Sequence, residues 1–190
     1  MEKQPPLILA SASPRRRDLL SKAGFDFDVW VPDIEERPRK RESAPAYVIR
    51  NAREKVRFAA ENPETFIIGA DTIVVLDEDI LEKPKDPSDA KAMLARLSGR
   101  SHQVMTGFAI SQDGIILEDH VISTDVTFKT LRPNEIAEYV ATGEPADKAG
   151  SYAIQGLAAY MVREINGSYT NVVGFPMTEV VEALERSFVR

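Results

Sequence analysis

The sequence predicts an α/β fold, a mixed, twisted β-sheet flanked by helices, in one domain spanning residues 1–190. Three observations predict it. Short apolar runs of strand character interleave with segments of helical period, the pattern of a sheet with helices packed against it. Several strands are joined by Asp- and Gly-rich turns, which adds antiparallel hairpins to the parallel crossovers. A hydrophobic share of 43% beside 28% charge, over 190 residues, supplies one substantial core.

Taken in order, Leu7–Ala10 reads as a short buried strand. It runs into Ser11-Ala-Ser-Pro14 and then a helix through Ala23, stopped by Gly24. Ser13 is a good N-cap, and Pro14 fits the first helical turn. Residues 25–31 alternate like a second strand, residues 32–45 are a Pro- and charge-rich loop, and residues 46 to about 61 are helical. Residues 66–76 form a strongly apolar strand that turns through Asp77-Glu-Asp79 into Ile80 and Leu81. Asp86 caps the next helix, with Pro87 in its first turn and Ser98-Gly99 at its end. Residues 102–111 and 115–130 are β-rich and joined at Asp113-Gly114, a strong hairpin signal. A short helix at 134–142 closes at Gly143, and residues 143–156 have little regular pattern. Residues 158–165 and those after Asn166-Gly167 read as a further hairpin, and residues 177–188 as a terminal helix.

Composition narrows the chemistry. There are no cysteines and only two histidines, His102 and His120, so thiolate sites, disulfides and histidine-rich zinc sites are excluded. A metal, if used, is then a hard ion such as magnesium or manganese, held by carboxylates and water. No apolar stretch approaches the roughly 20 residues of a membrane helix. Met1 to Pro6 lacks the apolar core of a signal peptide, so the expected location is the cytoplasm. The net charge of −6 is uneven: residues 1–57 carry 13 Lys/Arg against 9 Asp/Glu, or +4, and the remainder 11 against 21, or −10. A basic amino-terminal third in an acidic chain points to a local anion site, with solvated surface as the plainer reading of Arg37 to Arg41.

Five constellations carry candidate chemistry. In Ser11-Ala-Ser-Pro-Arg-Arg-Arg17, three arginines occupy the positive end of a helix macrodipole. Each is unfavourable there by about 0.3–1 kcal/mol unless an anion neutralises the site. Backbone N–H groups, the Ser11 and Ser13 hydroxyls and the guanidinium forks would cradle a phosphate chain, or the arginines splay into water. Asp71 places a carboxylate inside a buried strand, beside Gly69 and Ala70, where it needs a cation as partner. That partner is either a structural salt bridge or a metal whose water the acid activates. Lys55, seven residues after Val48, shares the apolar face with Ala52, Val56 and Ala59, and either snorkels outward or reaches into a cleft. Lys83 is a weaker basic candidate. Glu35-Glu36 is a solvated pair or a source of metal ligands, and the loop of Tyr152, Gln155, Gly150 and Gly156 offers an amide suited to a base edge. No Walker A pattern occurs, and the serines have no predictable triad partners.

Ser11-Ala-Ser-Pro-Arg-Arg16, Gly69-Ala-Asp-Thr72, Leu81-Glu-Lys-Pro84, Leu97-Ser-Gly-Arg-Ser-His102, Asp147-Lys-Ala-Gly150, Tyr152-Ala-Ile-Gln-Gly156 and Gly167-Ser-Tyr-Thr-Asn-Val-Val-Gly-Phe-Pro176 together resemble the Maf family, in order over almost the whole chain. The resemblance implies a house-cleaning nucleotide pyrophosphatase, with a fold similar to that of inosine triphosphate pyrophosphatases and an association with cell division and septum formation. Thr72 and the Asp-Lys-Ala-Gly-x-Tyr-x-Ile-Gln-Gly form resemble the branch acting on dTTP and UTP; the sister branch prefers 7-methyl-GTP. By the same resemblance, Asp71 is the proton acceptor, Arg15, Thr72 and Gln155 are specificity positions, and Ser11, Arg16, Glu35, Lys55 and Lys83 line the polar pocket. A homodimer is the family expectation.

The resulting expectation is metal-assisted attack of water on a nucleoside triphosphate. Asp71 and Glu35 hold the metal, Ser11, Arg15, Arg16, Lys55 and Lys83 bind phosphate, and Thr72 and Gln155 read the pyrimidine. No membrane or nucleic-acid partner is expected. The rival readings are a nucleic-acid-binding regulator of division, which predicts salt-sensitive binding, and a nucleotide-binding sensor without turnover.

Overall fold

The computed structural model describes residues 4–58, 60 and 62–189. Met1–Lys3, Ala59, Glu61 and Arg190 lie outside them, and with them part of the segment read for a signal peptide, the apolar position at Ala59 and the expected helix end near Glu61. The elements are β1 (Leu7–Ala10), α1 (Pro14–Lys22), β2 (Asp28–Trp30), α2 (Ala44–Lys55), β3 (Phe66–Leu76), β4 (Asp79–Leu81), α3 (Pro87–Leu97), β5 (Ser101–Gln112), β6 (Ile115–Phe128), α4 (Pro133–Ala141), β7 (Val162–Asn166), α5 (Tyr169–Val173) and α6 (Met177–Phe188). The strands form a seven-stranded mixed sheet in the order β2-β1-β3-β5-β6-β7, with β4 on β3. β1 pairs in parallel with both β2 and β3, whereas β3–β4 and β6–β7 are antiparallel. This is the expected mixed α/β fold.

By contacts the chain divides into two compact units, the first comprising residues 1–71, 106–122 and 174–190 and the second residues 72–105 and 123–173. In the first unit, strand alternation sends Leu7, Leu9, Phe66, Ile68 and Ala70 to one face, where Leu20 of α1 and Val180, Ala183 and Leu184 of α6 cover them. Ala10 and Ile67 face the other way, against Ala52 and Val56 of α2. Each fully buried aliphatic side chain in these layers contributes about 1.5–3 kcal/mol. In the second unit, α3 packs on α4, and His102, Phe128 and Tyr152 form an edge-to-face aromatic cluster.

Helix starts follow the expected local chemistry. Ser13 Oγ accepts from the Arg16 N–H, Ser43 Oγ from Ala46, and Asp86 from Asp89, each followed by proline in the first turn. The Asp113-Gly114 hairpin forms with both residues at positive φ, 49° and 74°, as a type I′ turn requires.

Two expectations are corrected. The second helix ends at Lys55, where the Val56 N–H bonds back to Arg53 O in a tight final turn. The hairpin expected around Asn166-Gly167 is absent: Leu157–Met161 is a 3₁₀ turn, β7 pairs with β6, and α5 follows. Gly167 has φ 130°, and a Cβ on it would stand 2.8 Å from Thr124 Oγ1. Ser168 Oγ then accepts from the Asn171 N–H, starting a helix where a returning strand was expected.

Candidate active site

β1 lies between β2 and β3, so the chain leaves it through α1 to one side and returns through α2 to the other. The crevice outside the carboxyl end of such a strand is where doubly wound sheets bind ligands. The register pairs Ala10, the last residue of β1, with Gly69, so Asp71 lies just beyond that end. Gly69 has a specific function here. A Cβ on it would fall 2.9 Å from Lys55 Cβ and 2.9 Å from Val56 Cγ1. Its absence lets α2 close onto β3 and delivers Lys55 to Asp71.

Three acceptors surround the Lys55 ammonium: Asp71 Oδ1 at 3.0 Å, Ala70 O at 2.9 Å and Glu36 Oε1 at 2.6 Å. The Lys55 and Asp71 side chains are 7% and 11% exposed, so this is a desolvated ion pair. Asp71 Oδ2 accepts from Asn51 Nδ2 at 2.8 Å. From the opposite helix, Arg16 Nη1 donates to the same Ala70 carbonyl at 2.7 Å and Arg16 Nε to Gly174 O at 2.9 Å. Arg16 Nη1 also reaches Ser11 Oγ at 3.4 Å, and that oxygen accepts from the Ser13 N–H. Burial lowers the Arg16 pKa from its ordinary range, and the charges of Asp71 and Glu36 oppose the shift. Two cations from helices on opposite faces thus meet at one peptide carbonyl beside a buried acid.

The three arginines differ. Arg16 is buried, Arg15 half-buried and Arg17 exposed. Glu35 is exposed and pairs with Arg37 at 3.3 Å, while its neighbour Glu36 reaches Lys55. Thr72 follows Asp71 in β3, is half-buried, and by alternation points to the opposite face of the strand. Lys83 and Gln155 belong to the second unit and are exposed. Tyr152 is a core group: its hydroxyl meets His102 Nε2 at 2.8 Å, and burial pushes the imidazole down to about 4.

Asn51 is the participant that sequence reasoning passed over, and of the acidic pair Glu35-Glu36 it is Glu36, not the expected Glu35, that meets Lys55. Asn51 lies four residues before Lys55 on the same helical face, and that spacing was the available signal. Beside them, Arg50 is locked to Glu42 at 2.7 and 2.9 Å, and its hydrogen bonds hold the Glu42 carboxyl down at about 2.

Among the described residues, no group of three or more His, Cys, Asp or Glu side chains is gathered to hold a metal. Two carboxylates, Asp71 and Glu36, do share one cation, the Lys55 ammonium. Magnesium is commonly bound by one or two carboxylates completed by substrate phosphates and water, and this donor pair fits such an ion. No helix among the described residues is long and apolar enough to cross a membrane.

The class that this fold and site define is an α/β protein with an acid and buried cations at the switch point of its sheet, an arrangement suited to a polyanionic ligand. The chain belongs to the Maf-like protein family, whose pattern matches residues 6–187. It is 52% identical to a dTTP/UTP pyrophosphatase of Geotalea uraniireducens, covering 98% of this chain and 97% of the relative. A dTTP/UTP pyrophosphatase of Escherichia coli O157:H7 is also 52% identical, over 94% of this chain and 91% of its own. Among solved structures, a HAM1 protein from Coxiella burnetii aligns over 95% of this chain and 98% of its own, at 15% identity and a TM-score of 0.49.

Proposed function

We propose that the protein hydrolyses nucleoside triphosphates, dTTP and UTP foremost, to the monophosphate and pyrophosphate, with magnesium or manganese. The names of its relatives support the substrate class. The observation that carries the chemistry is the meeting of Arg16 and Lys55 at Ala70 O, beside the Asp71 carboxylate. Triphosphate cleavage moves negative charge onto the departing pyrophosphate, and pre-positioned cations stabilise that charge without reorganising. Arg16 and Lys55 take this role, with Arg15 at the helix start. Ser11 Oγ already accepts two bonds, so its hydroxyl hydrogen serves a phosphate oxygen.

Asp71 orients the attacking water and takes its proton. Each of its oxygens accepts a bond from Lys55 or Asn51 and keeps a second lone pair for water. Asp71 and Glu36, with Glu35 from the same loop, would hold the divalent ion. Once bound, that ion supplies Lewis-acid polarisation of the phosphoryl oxygens. Thr72 and Gln155 are the proposed base-specificity positions and Lys83 a further proposed phosphate-binding residue.

Incubation with each nucleoside triphosphate, with magnesium, manganese or a chelator, tests this reading. The expected outcome is pyrophosphate and monophosphate from dTTP and UTP, little orthophosphate, and loss of turnover with chelator. Nucleotide binding without any pyrophosphate would contradict it and favour a sensor.

A further inference from the structure

We infer that Asn51 is a positioning residue for the reaction, holding the Asp71 carboxylate in the orientation in which it receives a proton from water. The inference rests on the reading of Asp71 as proton acceptor. Asn51 is fully buried on α2, one turn before Lys55, so the two side chains rise from the same face. They divide the carboxylate between them: Lys55 Nζ donates to Oδ1 at 3.0 Å and Asn51 Nδ2 to Oδ2 at 2.8 Å. The terminal torsion of an aspartate is broad, with no sharp well of its own. One lysine fixes one oxygen and leaves the carboxylate free to turn about it. The second donor fixes its plane.

The amide's own orientation is determined by its partners. Its Oδ1 accepts from Arg50 Nη1 at 3.0 Å. Arginine can only donate and an ionised carboxylate can only accept, so an amide is the side chain that satisfies both ends. Leucine would satisfy neither, and aspartate would face one carboxylate with another. Arg50 is in turn held by both oxygens of Glu42, at 2.7 and 2.9 Å, and donates to Arg37 O at 2.9 Å. A continuous series of charge-assisted bonds therefore runs from Glu42 through Arg50 and Asn51 to the acid. A buried asparagine with a purely structural task commonly meets backbone groups. This one joins two charged side chains, and one of them is the reactive acid.

The test is a double-mutant cycle on the full-length protein, with Asn51→Leu, Asp71→Asn and the combination, measuring kcat and KM for dTTP. In the parent background, Asn51→Leu is expected to lower kcat about 10- to 100-fold, the scale of loss when a reacting group is misplaced, with KM changing far less. In the Asp71→Asn background it is expected to alter the residual rate by less than about twofold, because residues acting as a unit are not additive. Asn51→Asp keeps the acceptor for Arg50 and nearly the same shape, and is expected to give the same non-additive loss, which covers a failure of the leucine variant to fold. A parent-like kcat in either folded Asn51 variant, or an equal fold-loss in both backgrounds, overturns the inference while leaving Asp71 as the base. A parent-like rate in Asp71→Asn itself removes the base assignment, and the inference with it.

Discussion

At the scale of single residues, Arg16 presents an apparent contradiction: a guanidinium at the positive end of a helix, largely shielded from water. Its partners account for it. Three acceptors on three different segments, Ser11 Oγ, Ala70 O and Gly174 O, take its donors, so the planar fork ties the start of α1 to β3 and to the segment before α6. A lysine has neither the fork nor the spread of donors. Arg16→Lys is therefore expected to lower kcat/KM for dTTP about tenfold or more, as for loss of a charged hydrogen bond worth about 1.5–3 kcal/mol. Arg17→Ala, an exposed position on the same turn, is expected to stay within about twofold of the parent, as surface substitutions usually do. Steady-state kinetics on the two variants checks both. The sequence motif brought attention to the arginine run as a group. Which member turns inward depends on the helical phase relative to β3, and adjacent residues of like charge do not reveal that. The same holds for Glu35 and Glu36: in a loop without period, only the tertiary fold decides which carboxylate meets Lys55.

At the scale of elements, the position of α2 decides whether a site exists. It supplies Asn51 and Lys55, and it can approach β3 only because Gly69 has no side chain. Gly69→Ala is expected to push the helix outward and to destabilise the protein by about 1–3 kcal/mol, the usual cost of overpacking. Turnover should fall more than thermal stability suggests, because the displaced helix carries both partners of Asp71. Denaturant unfolding together with pyrophosphate release measures the two effects side by side. Element boundaries were legible where local chemistry sets them. The caps at Ser13 and Asp86 and the Asp113-Gly114 turn need only their neighbours in sequence. The strand at residues 162–165 was legible, whereas residues 167–173 were misread because the Asn-Gly signal is local and the bond between the Ser168 N–H and Thr124 Oγ1 spans 44 residues. A distant partner redirected the chain from turn to helix.

At the scale of the molecule, the alternation of strands and helices made the mixed α/β sheet legible, and the ordered motifs made the family legible. The division into two compact units was not, because β3, β5 and β6 each contribute residues to both; no linker or change of composition marks the division. Under the proposed function, one buried acid, held by a lysine and an amide on a single helix turn, performs the proton transfer for triphosphate hydrolysis. The most direct measurement is pyrophosphate release from dTTP by Asp71→Asn, in protein shown by circular dichroism and thermal unfolding to be folded, with dTTP binding measured in parallel. The expected result is nucleotide binding retained with kcat lower by about 100-fold or more, in the range that general-base catalysis supplies. Release within a few-fold of the parent protein would contradict the claim.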